Sequence, residues 1–118
     1  MGRHLTSFGV GDKQQHTLTG EVCFEGVTLH KGFPSKLLIK PAPPNYGIVF
    51  KRIDVNSSMN LVKARWDNVS DTTLCTTVSN EIGISVSTIE HLMAAFAGCA
   101  IDNALVEINC PEIPIMDG

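Results

Sequence analysis

The densest chemistry in this chain is S-T-I-E-H-L at 87–92, where the carboxylate of Glu90 and the imidazole of His91 are adjacent. A neutral histidine is a good zinc ligand, and a neighbouring glutamate can take a proton from metal-bound water, whose pKa falls to about 7 on zinc. The same residues also admit a structural reading. Ser87 would cap a helix N-terminus, with Glu90, three residues on, returning a hydrogen bond to the Ser87 backbone N–H. A lone histidine is not a metal site, because a catalytic zinc takes about three protein ligands plus a water, and no H-E-x-x-H is present. The residues alone leave both readings open.

Three other segments could take part. G-V-T-L-H-K-G at 26–32 is a loop with glycine at both ends, suited equally to a strand-connecting turn and to a loop that touches substrate through Leu29 and His30. It is not a phosphate loop, since neither G-x-x-x-x-G-K-[ST] nor G-x-G-x-x-G occurs. D-T-T-L-C-T-T at 71–77 holds Cys75, which could be a nucleophile with His30 or His91 as base. Nothing local supplies the electropositive, accessible setting that a reactive thiol needs, and a small buried residue is the better reading. P-E-I-P-I-M-D-G at 111–118 has two prolines and alternating apolar residues, the pattern of an ordered segment, with Asp117-Gly118 suggesting a turn.

Around these segments the sequence predicts a sheet and one helix. Strand patterns occur at 17–24, 35–40, 47–53, 61–66, 72–78 and 104–109, with 35–40 and 47–53 read as a hairpin across the proline-rich 41–45. Ile89, Leu92, Met93, Phe96 and Ala97 recur at i, i+3, i+4, i+7 and i+8, which predicts an amphipathic helix over 88–97 with Gly98 as its stop. His91 faces away from that stripe, beside Ala94, Ala95 and Gly98. The order of elements favours an α+β domain, a mostly antiparallel sheet with helical cover on one face. Residues 1–14 read as a flexible N-terminal arm and 15–118 as the domain.

Composition narrows the function classes. The 118 residues suit one domain, and 43% hydrophobic against 18% charged residues predicts a buried core. Nine basic and twelve acidic residues, with no basic run longer than Lys51-Arg52, argue against nucleic acid. No stretch approaches the roughly 20 apolar residues of a membrane span, and the N-terminus lacks a secretory core, which points to the cytoplasm. Four irregularly spaced cysteines without C-x-x-C fit reduced thiols. The two N-x-S matches at Asn56 and Asn68 therefore carry no weight.

From Gln15 onward the chain resembles the UDP-3-O-acyl-N-acetylglucosamine deacetylases, zinc amidases of lipid A biosynthesis in Gram-negative bacteria. The resemblance rests on G-V-T-L-H-K-G, D-T-T-L-C-T, S-T-I-E-H-L and I-D-N-A-L-V-E-I-N-C-P-E-I-P-I-M-D-G, in that order. It implies Glu90 as general base and His91 as one zinc ligand, roles compatible with a helix cap. It also implies substrate contact at Leu29, His30, Thr73, Leu74 and Cys75, with Cys75 a lining residue, and gives Asp117 a structural role or a supporting one behind the ligands. The family has two similar α+β domains with the active site between them, and this chain resembles the first. The other zinc ligands and the general acid are then expected from the second domain, and this chain alone is expected to have little or no activity. The competing class is a non-catalytic α+β interaction domain that retains the motifs. A cysteine hydrolase working through Cys75 ranks behind both.

Overall fold

The computed structural model describes residues 5–10 and 13–115. In chain order the strands are β1 (Leu5–Val10), β2 (Lys13–Leu18), β3 (Val22–Val27), β4 (Pro34–Pro41), β5 (Ile48–Arg52) and β6 (Leu61–Lys63). A 3₁₀ turn at Trp66–Asn68 precedes β7 (Val69–Asp71), β8 (Thr77–Ser79) and β9 (Ser85–Ser87). The helix α1 (Glu90–Gly98) and the strand β10 (Ala104–Ile108) follow. The architecture is α+β, as the sequence predicts. A five-stranded sheet runs β3-β4-β10-β5-β6, antiparallel except for β10 with β5, beside an antiparallel three-stranded sheet β7-β8-β9.

The core explains the order. Ala104, Val106 and Ile108 of β10 have no exposed surface, and they pack with Leu37 and Ile39 of β4 and Phe50 of β5. A strand so buried belongs at the sheet centre. The hairpin expected of 35–40 with 47–53 is therefore not formed, because β10 lies between them, with Val106 opposite both Ile39 and Phe50. The Pro41, Pro43 and Pro44 run, poor in N–H donors, suits a wide connection better than a tight hairpin turn.

Other boundaries move for local reasons. The strand expected at 72–78 is interrupted over 72–76, where the Asp71 carboxylate accepts the Thr73 N–H at 2.8 Å in an Asx turn. The strand expected at 61–66 stops at Lys63, and Asn68 N–H donates to the Arg65 carbonyl at 2.9 Å. Short β9, where Val86 continues the alternation of Ile82 and Ile84, completes the small sheet, with Val86 opposite Val78. Within the segment read as an arm, residues 5–10 pair with 13–18 as an antiparallel hairpin, for which the alternation of Thr6, Phe8 and Val10 is the local signal.

The helix buries Leu92 and Phe96, as its stripe predicts, and Ile89 just before it. Its start differs from the expected capping box. The N-cap position is Ile89, no side chain caps it, and Ser87 lies in β9 with its hydroxyl donating to the Pro111 carbonyl at 3.2 Å. Thr88 cannot be helical, because its φ is +62°. At the other end Gly98 is the last helical residue, but the left-handed residue is Ala100, with φ +57°. Ile101 N–H donates to Phe96 O at 2.8 Å and Ala100 N–H to Ala97 O at 3.1 Å, a Schellman close that turns the chain into β10.

After β10, residues 111–115 cross between the sheets. Ser87 N–H donates to Pro111 O at 2.8 Å, Ile113 N–H to Ser87 O at 3.0 Å, and Ile115 N–H to Val27 O at 2.9 Å. Gly26 permits that approach, since a Cβ there would stand 3.0 Å from Ile115 O and 3.2 Å from the Pro114 Cβ. Gly26→Ala is expected to lower stability by about 1–3 kcal/mol in urea denaturation through this overpacking. Gly20→Ala, with nothing within 4 Å of the added methyl, serves as the neutral comparison.

Candidate functional site

The 111–115 crossing brings two of the sequence-predicted segments together. The loop after β3 and the loop between β7 and β8 face each other across a cleft of about 420 Å³, lined in part by Thr28, His30, Phe33, Leu74, Cys75, Cys110 and Glu112. Phe33 and Leu74 are 56% and 82% exposed, an apolar lining open to solvent. Such a cleft, apolar with a few polar groups, suits a ligand that carries a hydrocarbon portion.

Glu112 is the polar centre of this cleft. Its side chain is nearly inaccessible, unusual for a glutamate without partners. One carboxylate oxygen, Oε2, accepts the Thr88 hydroxyl at 2.8 Å, the Nδ1–H of His30 and, at 3.4 Å, the His30 backbone N–H. The Glu112 carbonyl accepts the buried Ser35 hydroxyl at 2.9 Å and the Cys110 thiol at 3.2 Å. Burial pushes the Glu112 carboxyl up, but the hydrogen bonds from His30 and Thr88 outweigh it and hold the group below its ordinary value. With Nδ1 committed to Glu112, a neutral His30 ring has Nε2 left as an acceptor.

Thr88 joins this centre to the helix. A β-branched residue at positive φ is a genuine outlier, costing about 1–3 kcal/mol unless its surroundings hold it there. Here the Thr88 N–H donates to Thr76 O at 2.9 Å while its hydroxyl reaches Glu112. After Ile89 come Glu90 and His91, exposed on the first turn of α1.

The predicted site residues thus fall into two groups. His30, Leu74 and Cys75 line one cleft, and Thr73 lies in the same loop as Leu74 and Cys75. Leu29 is exposed beside His30. Glu90 and His91 are not among the lining residues but are tied to the cleft through Thr88 and Glu112. Asp117 lies outside the described residues. Glu112, Thr88 and Cys110, which the cleft also depends on, are not marked by any motif spacing. The signal for Glu112 was its place between Pro111 and Pro114 in a segment of alternating apolar residues, where a charge needs a partner.

Among the described residues, no three His, Cys, Asp or Glu side chains form a group that could hold a metal ion. His91 offers one exposed imidazole, so the donors among the described residues do not by themselves fit a zinc. A second hollow, of about 460 Å³, lies along the edge strand β6, with Met59, Leu61, Lys63, Arg65 and Asn80 among its walls. It holds exposed charges such as the Arg65–Asp67 pair, and none of its walls is a buried ionisable group like Glu112. No described helix is long and apolar enough to cross a membrane.

Residues 15–118 match the family model described as UDP-3-O-acyl N-acetylglycosamine deacetylase. Relatives named UDP-3-O-acyl-N-acetylglucosamine deacetylase include one from Shewanella woodyi, 52% identical over 104 residues, and one from Idiomarina loihiensis, 49% identical over 105 residues. A third, from Pseudoalteromonas atlantica, is 46% identical over 105 residues. These matches cover 88–89% of this chain and 34% of each relative, so the chain spans about a third of the length of the curated relatives it matches.

The lowered Glu112 value sets a pH dependence. The folded state binds this proton less tightly than the unfolded one, so the contribution is complete above the unfolded value and is lost as pH falls through the folded value. Acid titration of thermal stability is expected to show a loss below the ordinary glutamate range that is reduced in Glu112→Gln.

Proposed function

The chain belongs to the UDP-3-O-acyl N-acetylglycosamine deacetylase family, and from that premise we propose that it forms part of an active site that hydrolyses the acetamide of UDP-3-O-acyl-N-acetylglucosamine. The products are acetate and a glucosamine amine, in the lipid A biosynthesis of a Gram-negative bacterium. The observation that carries the reading is the placement of Glu90 and His91. They stand together on the first exposed turn of α1, tethered through Thr88 and Glu112 to an apolar cleft that holds His30, Leu74 and Cys75.

In this reading Glu90 accepts the proton of the water that attacks the acetamide carbonyl, and its exposure leaves it open to that water. Leu29, His30, Thr73, Leu74 and Cys75 contact the substrate, with Leu74 and Phe33 supplying apolar wall for the acyl chain and the His30 ring supplying an acceptor. Cys75 is wall rather than nucleophile: its Sγ has Thr77 Oγ1 at 3.9 Å, and no hydrogen bond among the described residues joins it to the His30 ring. Asp117 keeps the supporting role that the family resemblance gives it.

His91 would be one donor to the family's Zn2+, which when bound would supply Lewis-acid polarisation of the carbonyl and of the attacking water. Its remaining donors, and the general acid, belong to a second domain of similar α+β build, within the two-thirds of the relatives' length that this chain does not span. The reaction is cytoplasmic, and residues 15–118 act as the first domain with little or no turnover alone.

In the complete enzyme carrying this segment, Glu90→Gln is expected to lower kcat for deacetylation by about 10²–10⁴-fold with little change in KM. His91→Ala is expected to weaken zinc retention, measured by metal analysis after dialysis. Full turnover by Glu90→Gln would contradict the assignment.

A further inference from the structure

Thr88 is the wrong residue for its conformation and the right one for its hydroxyl. A position at φ +62° is filled without strain by glycine, and asparagine tolerates it better than a β-branched side chain does. What threonine adds is the Oγ1–H that reaches Glu112 at 2.8 Å, in a buried setting where that bond is protected from water. Glu112 is equally specific. A carboxylate is an acceptor only, and its Oε2 faces donors from Thr88 and His30 at once.

We propose that Glu112 is a positioning residue for the deacetylation, holding Thr88 so that α1 presents Glu90 and His91 in one fixed direction relative to the His30 wall of the cleft. This rests on the reading of Glu90 and His91 as the reacting end. The helix has no side-chain cap, so Thr88 and its partners do the work of aiming its first turn. The backbone supports the same geometry from both sides. Thr76 O accepts the N–H of Thr88 at 2.9 Å and of Ile89 at 3.4 Å, and Ser87 is paired with the 111–113 strap. Glu112 is itself immobilised through its carbonyl, which receives Ser35 and Cys110. The carboxylate therefore connects a rigid strap, the loop bearing His30 and the residue that launches the helix. It touches no substrate in this scheme and acts through Thr88 and His30.

The test separates aiming from folding. Thr88→Gly relieves the backbone strain while deleting the hydroxyl, so a merely structural Thr88 predicts unimpaired activity wherever the variant is fully folded, whatever its melting temperature. Positioning predicts the opposite for activity. In the complete enzyme, Thr88→Gly, Thr88→Val and Glu112→Gln are each expected to lower kcat about tenfold, with KM within about threefold, as misaimed catalytic groups do. Thr88→Ser, which keeps the hydroxyl, is expected to restore kcat to within about threefold of wild type, and Thr88→Val/Glu112→Gln to cost no more than the worse single change, because each removes the same charge-assisted bond between Thr88 and the carboxylate. Wild-type kcat in Thr88→Gly or in Glu112→Gln overturns the inference, as do losses that multiply in the double variant. Glu90→Gln is measured alongside. If it is inactive while Glu112→Gln is unimpaired, only the positioning role fails; if Glu90→Gln turns over normally, the functional reading fails and the positioning role with it.

Discussion

A single buried carboxylate, that of Glu112, must be satisfied for the rest of this molecule to hold its arrangement. A buried acceptor left unmatched costs about 1–3 kcal/mol, and more if charged, so the fold must bring donors to it. It does so from two places distant in sequence, the loop bearing His30 and Thr88 just after β9, while Ser35 of β4 fixes the Glu112 backbone carbonyl. The helix that carries Glu90 and His91 begins two residues after Thr88. The placement of the reactive pair is therefore a consequence of how one charge is accommodated.

That accommodation needs a stiff frame, and the central strand β10 provides it. Its fully buried residues lie between β4 and β5, so the segment that follows emerges from the middle of the sheet. Asn103, just before β10, is buried with both amide groups used. Its Oδ1 accepts the Gly47 N–H at 2.8 Å and its Nδ2 donates to Gln15 Oε1 at 2.7 Å. The Thr17 hydroxyl donates to the Asn103 carbonyl at 2.6 Å. These bonds register the end of β2 and the start of β5 against β10. A second buried link joins the two sheets, where Arg52 donates to Ser85 O at 2.8 Å while Asp54 balances its charge.

The parts legible in the sequence were those with local signals. The Leu92 and Phe96 stripe marks α1, and the short apolar runs Leu37-Leu38-Ile39 and Ala104-Leu105-Val106 mark β4 and β10, because a buried element needs apolar residues that any reader of the chain can detect. Strand order was not legible, since the placement of β10 between β4 and β5 is a long-range pairing with no local trace. The capping-box pattern at Ser87 and Glu90 was misleading for a similar reason: strand pairing with 111–113 claims Ser87, and Thr88 adopts a conformation that its own side chain disfavours. Glu90, His91, His30 and Cys75 stood out as chemical types. Glu112 did not, because its importance lies in partners 24 and 82 residues away.

The direct test of this account is the orientation of α1 in solution. Residual dipolar couplings of the α1 amides, referred to those of β10, together with the three-bond HN–Hα coupling of Thr88, report the aim of the helix and the sign of φ at its launch. The account predicts a positive φ at Thr88 in the native chain, and in Glu112→Gln a reorientation of the first turn of α1 against an unchanged β10. Couplings for α1 that superimpose in the two proteins would contradict it.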